Sequence, residues 1–182
     1  MQISITNSIS IEQLSLNHVQ GLFELTDANR QHLRQWLPWV DSIKTVADTQ
    51  GFINAAIEQY QQGKGPQFAL FHEGLLCGVN GFHRINAPSH CGSIGYWLAA
   101  ESIGKGIITQ TTKQLLEIGF TEHCLNKVEI RCATANIKSR AIAERLGFLF
   151  EGTLRQSEFL YDHYVDHAVY SLLRSEYEVL RG

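Results

Sequence analysis

The 182-residue sequence predicts an α/β (α+β) fold in which helices flank a mixed, mostly antiparallel sheet. Three observations predict it. The apolar spacing is helical up to about Tyr60 and changes to a period of two after Gly63. Three short strand-like runs then follow one another through tight turns. Beyond them, a strand leads through a glycine-bearing turn into a long helix, and a second strand and helix repeat the order.

The elements follow in order. Ile3, Ile5, Ile9 and Ile11 alternate with polar residues, and the break around Asn7 suggests a strand or a hairpin. Ser15 is suited to cap a helix running from Leu16 to about Ala28, in which Val19, Leu22, Phe23 and Leu25 have helical spacing. A second short helix carries Leu33 and Trp36 and ends at Pro38. The aromatic stretch Trp36-Leu37-Pro38-Trp39-Val40 fits either core packing or the lining of an acceptor pocket. A third helix carries Phe52, Ala56, Ile57 and Tyr60 on one face.

The sheet then begins. Phe68 to Phe71, Leu75 to Phe82 and Ser93 to Leu98 read as an antiparallel meander, turning at Glu73-Gly74 and through the loop 86–89. A helix from about Lys105 to Glu122 aligns Ile107, Thr111, Leu115 and Ile118. Val128, Ile130 and Cys132 alternate with charged residues in the next strand. A helix from about Asn136 to Leu146 follows, and Gly147 stops it. Phe148 to Leu154 and Tyr164 to Leu173 complete the sheet. No linker or repeat divides the chain, so residues 1–182 are read as one domain.

Composition narrows the function classes. A chain 44% hydrophobic and 18% charged has enough apolar surface for a core and is not a disordered sequence. A net charge of −3, a pI near 6.2 and no local cluster of Lys and Arg argue against a direct nucleic-acid partner. No apolar run is long enough to span a membrane and no signal-peptide pattern opens the chain, so a cytoplasmic protein is expected. Cys77, Cys91, Cys124 and Cys132 form no Cys-x-x-Cys pair and read as reduced thiols. His163 and His167 have i, i+4 spacing, but in a strand that separation is about 13 Å, so no metal site is expected.

The segment Glu101-Ser102-Ile103-Gly104-Lys105-Gly106-Ile107-Ile108 places two glycines between a strand and a long helix. Free N–H groups at a helix start, the helix dipole and the missing Cβ atoms suit an anion such as a pyrophosphate. The letters match neither a Walker A loop nor a Gly-x-Gly-x-x-Gly fingerprint, and a glycine-softened turn is the competing reading.

Further residues widen the pattern: Ile94-Gly95-Tyr96-Trp97-Leu98, then Gly104-Lys105-Gly106-Ile107, then Asn136-Ile137-Lys138-Ser139-Arg140-Ala141, then Leu146-Gly147-Phe148 with Glu151-Gly152. Together they resemble the Gcn5-related N-acetyltransferase (GNAT) superfamily, and within it the RimJ/RimL-type ribosomal-protein N-terminal acetyltransferases. The resemblance implies the GNAT acyl-CoA N-acyltransferase fold and an enzyme that moves acetyl from acetyl-CoA directly to an amine. It implies that Tyr96, Trp97 and Leu98 pair with the pantetheine arm, and that Ile103, Gly104, Lys105, Gly106, Ile107 and Ile108 hold the pyrophosphate. Asn136, Ser139 and Arg140 complete the implied cofactor contacts. One position departs: the family's loop usually opens with Gln or Arg three residues before the first glycine, and here that residue is Glu101. An exposed carboxylate 4 Å from a phosphate costs up to about 1 kcal/mol, so Glu101 is expected to point away.

The resemblance also implies roles in catalysis. An α-amine of pKa near 8 arrives mostly protonated and needs a base. Glu158, within Arg155-Gln156-Ser157-Glu158-Phe159, matches the family's proposed base, a solvated surface carboxylate being the alternative. Ser139 matches the residue that meets the departing thiolate, while by position alone it reads as a first-turn or capping residue. The expected acceptor is a protein N-terminus. A small amine such as a polyamine or aminoglycoside, and a non-catalytic acyl-CoA-binding module, stand as alternatives. A homodimer is expected.

Overall fold

The computed structural model describes residues 1–181. Its strands are β1 (Gln2–Ser4), β2 (Ile9–Gln13), β3 (Gln67–His72), β4 (Leu75–Asn86), β5 (Cys91–Leu98), β6 (Lys127–Ala133), β7 (Leu149–Leu160) and β8 (His163–Leu173). They form one sheet in the order β1-β2-β3-β4-β5-β6-β8-β7. Every neighbouring pair is antiparallel except β5 and β6. The helices are α1 (Val19–Ala28), α2 (Arg30–Leu33), α3 (Val46–Gln61), α4 (Ile107–Thr121), α5 (Ile137–Arg145) and α6 (Arg174–Arg181). The predicted mixed sheet and its meander β3-β4-β5 are present.

Alternation along the strands builds two cores, one on each face. Phe82, Ile94, Ile130, Tyr170 and Leu172 face Ile107, Leu115 and Ile118 of α4 and Ala143 of α5. On the other face Ala69 and Val79 pack with Leu22 of α1 and Ile53 and Ala56 of α3, with Trp97 against them. A strand residue's parity therefore tells which helices it faces.

Local chemistry fixes the helix starts. The Asp48 carboxylate accepts from the Thr45 N–H at 2.8 Å and the Lys44 N–H at 3.0 Å, which caps α3 and holds that carboxyl below its usual pKa. The Asn136 side chain accepts from the Ser139 N–H at 3.1 Å and starts α5. Helix α4 has no such side chain; its N-cap is Gly106, in the left-handed region at φ +74°.

Several boundaries differ from the sequence reading. The opening residues form the hairpin β1-β2. A 3-10 turn at Leu16–His18 precedes α1, and Ser15 donates its N–H to His18 Nδ1 at 3.1 Å. Helix α2 stops at Leu33, so Trp36 lies in the turns beyond it. Strands β4 and β7 run to Asn86 and Leu160, past predicted ends at Phe82 and Leu154, and both contain register shifts that break the alternation. Helix α6 was not anticipated; it follows β8 without a glycine or proline, and Tyr177 stacks on Phe120 at 4.6 Å.

Candidate active site

The parallel pair β5-β6 creates an opening in the sheet. Pairing runs from Cys91 opposite Lys127 to Ile94 opposite Ile130 and stops there. Residues 95–98 of β5 remain bonded to β4, and residues 131–133 of β6 to β8, so the two strands part and leave a notch. A bulge lies where they part: Phe82 faces Ile94 and Arg84 faces Ser93, leaving His83 as the extra residue of β4. Bulges bend a strand and increase its twist, which turns β5 away from β6.

A cavity of about 670 Å³ opens at this notch. It brings together five of the predicted site residues: Tyr96, Trp97, Asn136, Ser139 and Glu158. On the α4-α5 face, Ser139 Oγ donates to the Tyr96 phenolic oxygen at 3.0 Å, and the phenol donates to the Ser139 carbonyl at 3.2 Å. Burial pushes the Tyr96 phenol far above the usual tyrosine range, only partly offset by the Ser139 hydrogen bond, so it keeps its proton at neutral pH.

Glu158 sits on the opposite face. It pairs across β7-β8 with Val165, whose parity is that of Val169 and opposite to the buried Ala168, Tyr170 and Leu172. A register shift of two residues between Leu154 and Glu158 sets it opposite Val165 rather than His163, and the Gln156 N–H inside that irregularity donates to the Asp166 carboxylate at 2.7 Å. His167 Nε2 lies 3.4 Å from Glu158 Oε2. Trp36 and Trp39 form part of the wall on this side, and Trp39 leans on Trp97 at 6.0 Å. The aromatic stretch thus lines the cavity. Arg30 holds its loop by donating to the carbonyls of Val40 at 3.0 Å and Ile43 at 2.5 Å. Tyr161, in the β7-β8 turn, donates to the Leu37 carbonyl at 2.5 Å beneath the Arg34 guanidinium, 3.7 Å from its ring centre.

The remaining predicted residues lie outside the cavity lining. Leu98 ends β5. Ile103 is extended after a 3-10 turn at Ala100–Ser102, and Gly104 and Gly106 both adopt positive φ, +84° and +74°. Nothing stands where a Cβ would project from either glycine, and Lys105 between them is exposed. Ile107 and Ile108 turn their side chains into the core, which leaves their backbone N–H groups at the start of α4. This open cradle of amides fits a pyrophosphate, and the unpaired edge of residues 95–98 fits an extended pantetheine arm. Glu101 is exposed. Arg140 donates to the Tyr170 hydroxyl at 2.9 Å and the Thr134 carbonyl at 3.2 Å.

The sequence reading missed His83, Cys132 and the Glu158 partner role of His167, all in the cavity lining. His167 was weighed only with His163, which lies at the far end of β8 beside Asp162 at 2.7 Å. His83 depends on a bulge that no spacing announces.

Residues 9–149 match the acetyltransferase (GNAT) domain family. The chain belongs to this family. It is 36% identical over 176 residues to the putative ribosomal N-acetyltransferase YdaF of Bacillus subtilis, covering 96% of each chain. It is 33% identical over 169 residues to the ribosomal-protein-serine acetyltransferase of Escherichia coli, covering 93% of this chain and 94% of that protein. A solved structure of RimL, a ribosomal alpha-N-protein acetyltransferase in complex with coenzyme A, superposes with a TM-score of 0.92 at 26% identity, covering 97% and 99% of the two chains. The chain is thus an acetyl-CoA-dependent N-acetyltransferase close to the ribosomal-protein N-terminal enzymes.

Proposed function

We propose that the acceptor is the α-amino group of a protein N-terminus, and that Glu158 and Ser139 handle the protons of the transfer. The observation that carries this reading is the placement of the two groups on opposite faces of one notch: Glu158 with His167 on the α1-α3 side, Ser139 with Tyr96 on the α4-α5 side. The names of the relatives support the N-terminal acceptor.

Acetyl-CoA supplies an electrophilic thioester carbonyl and a thiolate leaving group. The Glu158 carboxylate takes one proton from the arriving ammonium, and His167 stabilises or relays it. The freed amine forms the C–N bond as the C–S bond breaks. Backbone N–H groups left unpaired along residues 95–98 are suited to the developing oxyanion. Ser139 turns its hydroxyl proton from the Tyr96 oxygen to the departing sulfur, and the Tyr96 hydroxyl, turning from the Ser139 carbonyl to the serine oxygen, is the next donor. The second proton of the nitrogen is released as the amide forms and, by way of solvent, replaces the one Ser139 gave to sulfur, so the sum is amide, thiol and the one proton that Glu158 passes on.

The reading also includes residues 1–182 as one catalytic domain, a cytoplasmic location and a homodimer. Support for the dimer lies in β7, an edge strand on which Leu149, Phe150, Leu154 and Phe159 are exposed.

The test is release of CoA thiol from acetyl-CoA on adding peptides with free Ser, Ala or Met N-termini, alongside spermidine and an aminoglycoside. Release with peptides alone supports the N-terminal acceptor. Release with small amines alone moves the assignment to a small-molecule acetyltransferase. Acetyl-CoA binding with no release across the panel overturns the N-terminal reading.

A further inference from the structure

We infer that His83 is a second acceptor-binding residue, whose ring accepts one N–H of the incoming amine beside Glu158, and that Gly95 is the seat that makes room for it. The inference rests on the proposed transfer to an amine and adds a residue to it.

The placement of His83 follows from the strand geometry. As the extra residue of the β4 bulge it has no partner across the β4-β5 ladder. Gly95 has the parity of Trp97, opposite to Ile94 and Tyr96 of the α4-α5 core, so the His83 ring that meets it lies on the other face, with Trp97, Glu158 and His167. There its imidazole lies directly over Gly95, so closely that a Cβ on residue 95 would overlap the ring atoms, Nε2 nearest. Gly95 is the first residue of β5 beyond the last β5-β6 pair. The ring therefore sits at the point where the notch begins, on the acceptor side.

Its chemistry suits that position. His83 is exposed and so open to the cavity, and the desolvation its ring does undergo holds its pKa below the ordinary imidazole value, against the pull of the Glu158 charge. A neutral imidazole has one donor and one acceptor nitrogen, and among the described residues the ring has no hydrogen-bond partner. The acceptor nitrogen is thus available to the cavity.

An attacking amine needs such a group. Once Glu158 has removed one proton of the ammonium, the nitrogen keeps two N–H bonds and a lone pair. Glu158 alone leaves the amine free to rotate about its C–N bond. A second acceptor on a different strand fixes that rotation and aims the lone pair into the notch. Strands β4 and β7 approach the cavity from opposite sides of the β5-β6 opening, so His83 and Glu158 are placed for this division of work.

The experiment uses the full chain and the peptide or amine that releases CoA most rapidly from the panel above. His83→Phe keeps a flat ring and removes the acceptor; it is expected to lower kcat/KM for the amine about tenfold, chiefly through KM, with acetyl-CoA affinity by calorimetry unchanged within twofold. His83→Gln places an acceptor near the position of Nε2 and His83→Asn near that of Nδ1, and one of the two is expected to recover most of the loss. Gly95→Ala displaces the ring and is expected to reproduce His83→Phe. Turnover by wild type with His83→Phe within twofold of it overturns this inference alone. Equal losses in acetyl-CoA affinity, or no recovery with either amide, also overturn it, because the role is then structural. A wild type that binds acetyl-CoA but releases no CoA with any acceptor overturns the underlying reading and this inference with it.

Discussion

Ser139 and Tyr96 exchange two hydrogen bonds across the notch: the serine hydroxyl donates to the phenol at 3.0 Å, and the phenol donates to the serine carbonyl at 3.2 Å. The pair couples the start of α5 to β5 and holds the hydroxyl beside the cavity. Ser139→Ala is expected to lower kcat about 10²-fold, and Tyr96→Phe less, because the phenol acts through the serine. Steady-state kinetics at saturating acetyl-CoA check both. A Ser139→Ala enzyme with wild-type kcat would leave Ser139 only its place in the α5 cap.

Glu158 lies 3.4 Å from His167, and both side chains keep some access to the cavity. Removing the carboxylate removes the base. Glu158→Gln is expected to lower kcat by about 10² or more while acetyl-CoA affinity, measured by calorimetry, holds. His167→Ala is expected to cost less, since Glu158 retains its place on β7 through the Val165 pairing. Unchanged turnover in Glu158→Gln at saturating acceptor would make it a surface carboxylate.

The glycine cradle lends itself to a binding test. Gly104 and Gly106 hold φ of +84° and +74° with open space where a Cβ would go. A left-handed conformation costs an L-residue about 1–2 kcal/mol, and the new methyl would stand on the surface assigned to the pyrophosphate. Gly106→Ala is expected to raise the CoA dissociation constant about tenfold or more, and the Gly104→Ala change to act in the same direction. Titration with CoA and with its fragment pantetheine separates the effects, since pantetheine lacks the pyrophosphate and its affinity should not move.

How much of this was legible in the sequence depended on whether the signal was periodic. The switch at Gly63 from helical to alternating spacing marks where the sheet begins, and the apolar Val128, Ile130 and Cys132 between charged residues mark β6, although Glu129 on its other face is buried as well. The notch was invisible by its own residues: parting of β5 from β6 is a loss of pairing that leaves no pattern. The bulge at His83 inserts one residue and reverses parity, and the shift before Glu158 inserts two and moves the pairing along β8, so regular pairing failed where the site is built. Ser139 and Glu158 were found through resemblance, not spacing. His83 has no motif and required the fold.

Cys77 provides a pH test of the core beneath the glycine cradle. It lies on β4, 3% exposed, with Sγ donating to the Leu70 carbonyl at 3.3 Å. Burial pushes its thiol from 9.0 up to about 11, while Lys105 and Ser102 pull the other way. The native state therefore favours the protonated form. Below pH 9 both folded and unfolded chains keep the proton and stability is independent of this group. Above pH 9 the unfolded chain loses its proton first, so stability falls as pH rises from about 9 to about 11. At pH 10 the loss from this one group is about 1 kcal/mol. Cys91 and Cys132 are raised by burial as well, and Tyr177 is pushed to about 12, so each adds a loss of the same sign at alkaline pH. Urea unfolding at pH 8 and pH 10 checks the sum, and Cys77→Ala isolates the single group: the variant starts less stable at pH 8 but loses about 1 kcal/mol less on going to pH 10. Parallel losses in the two proteins would mean that the Cys77 thiolate is accommodated in the folded state, and that the packing between β4 and the start of α4 opens at alkaline pH.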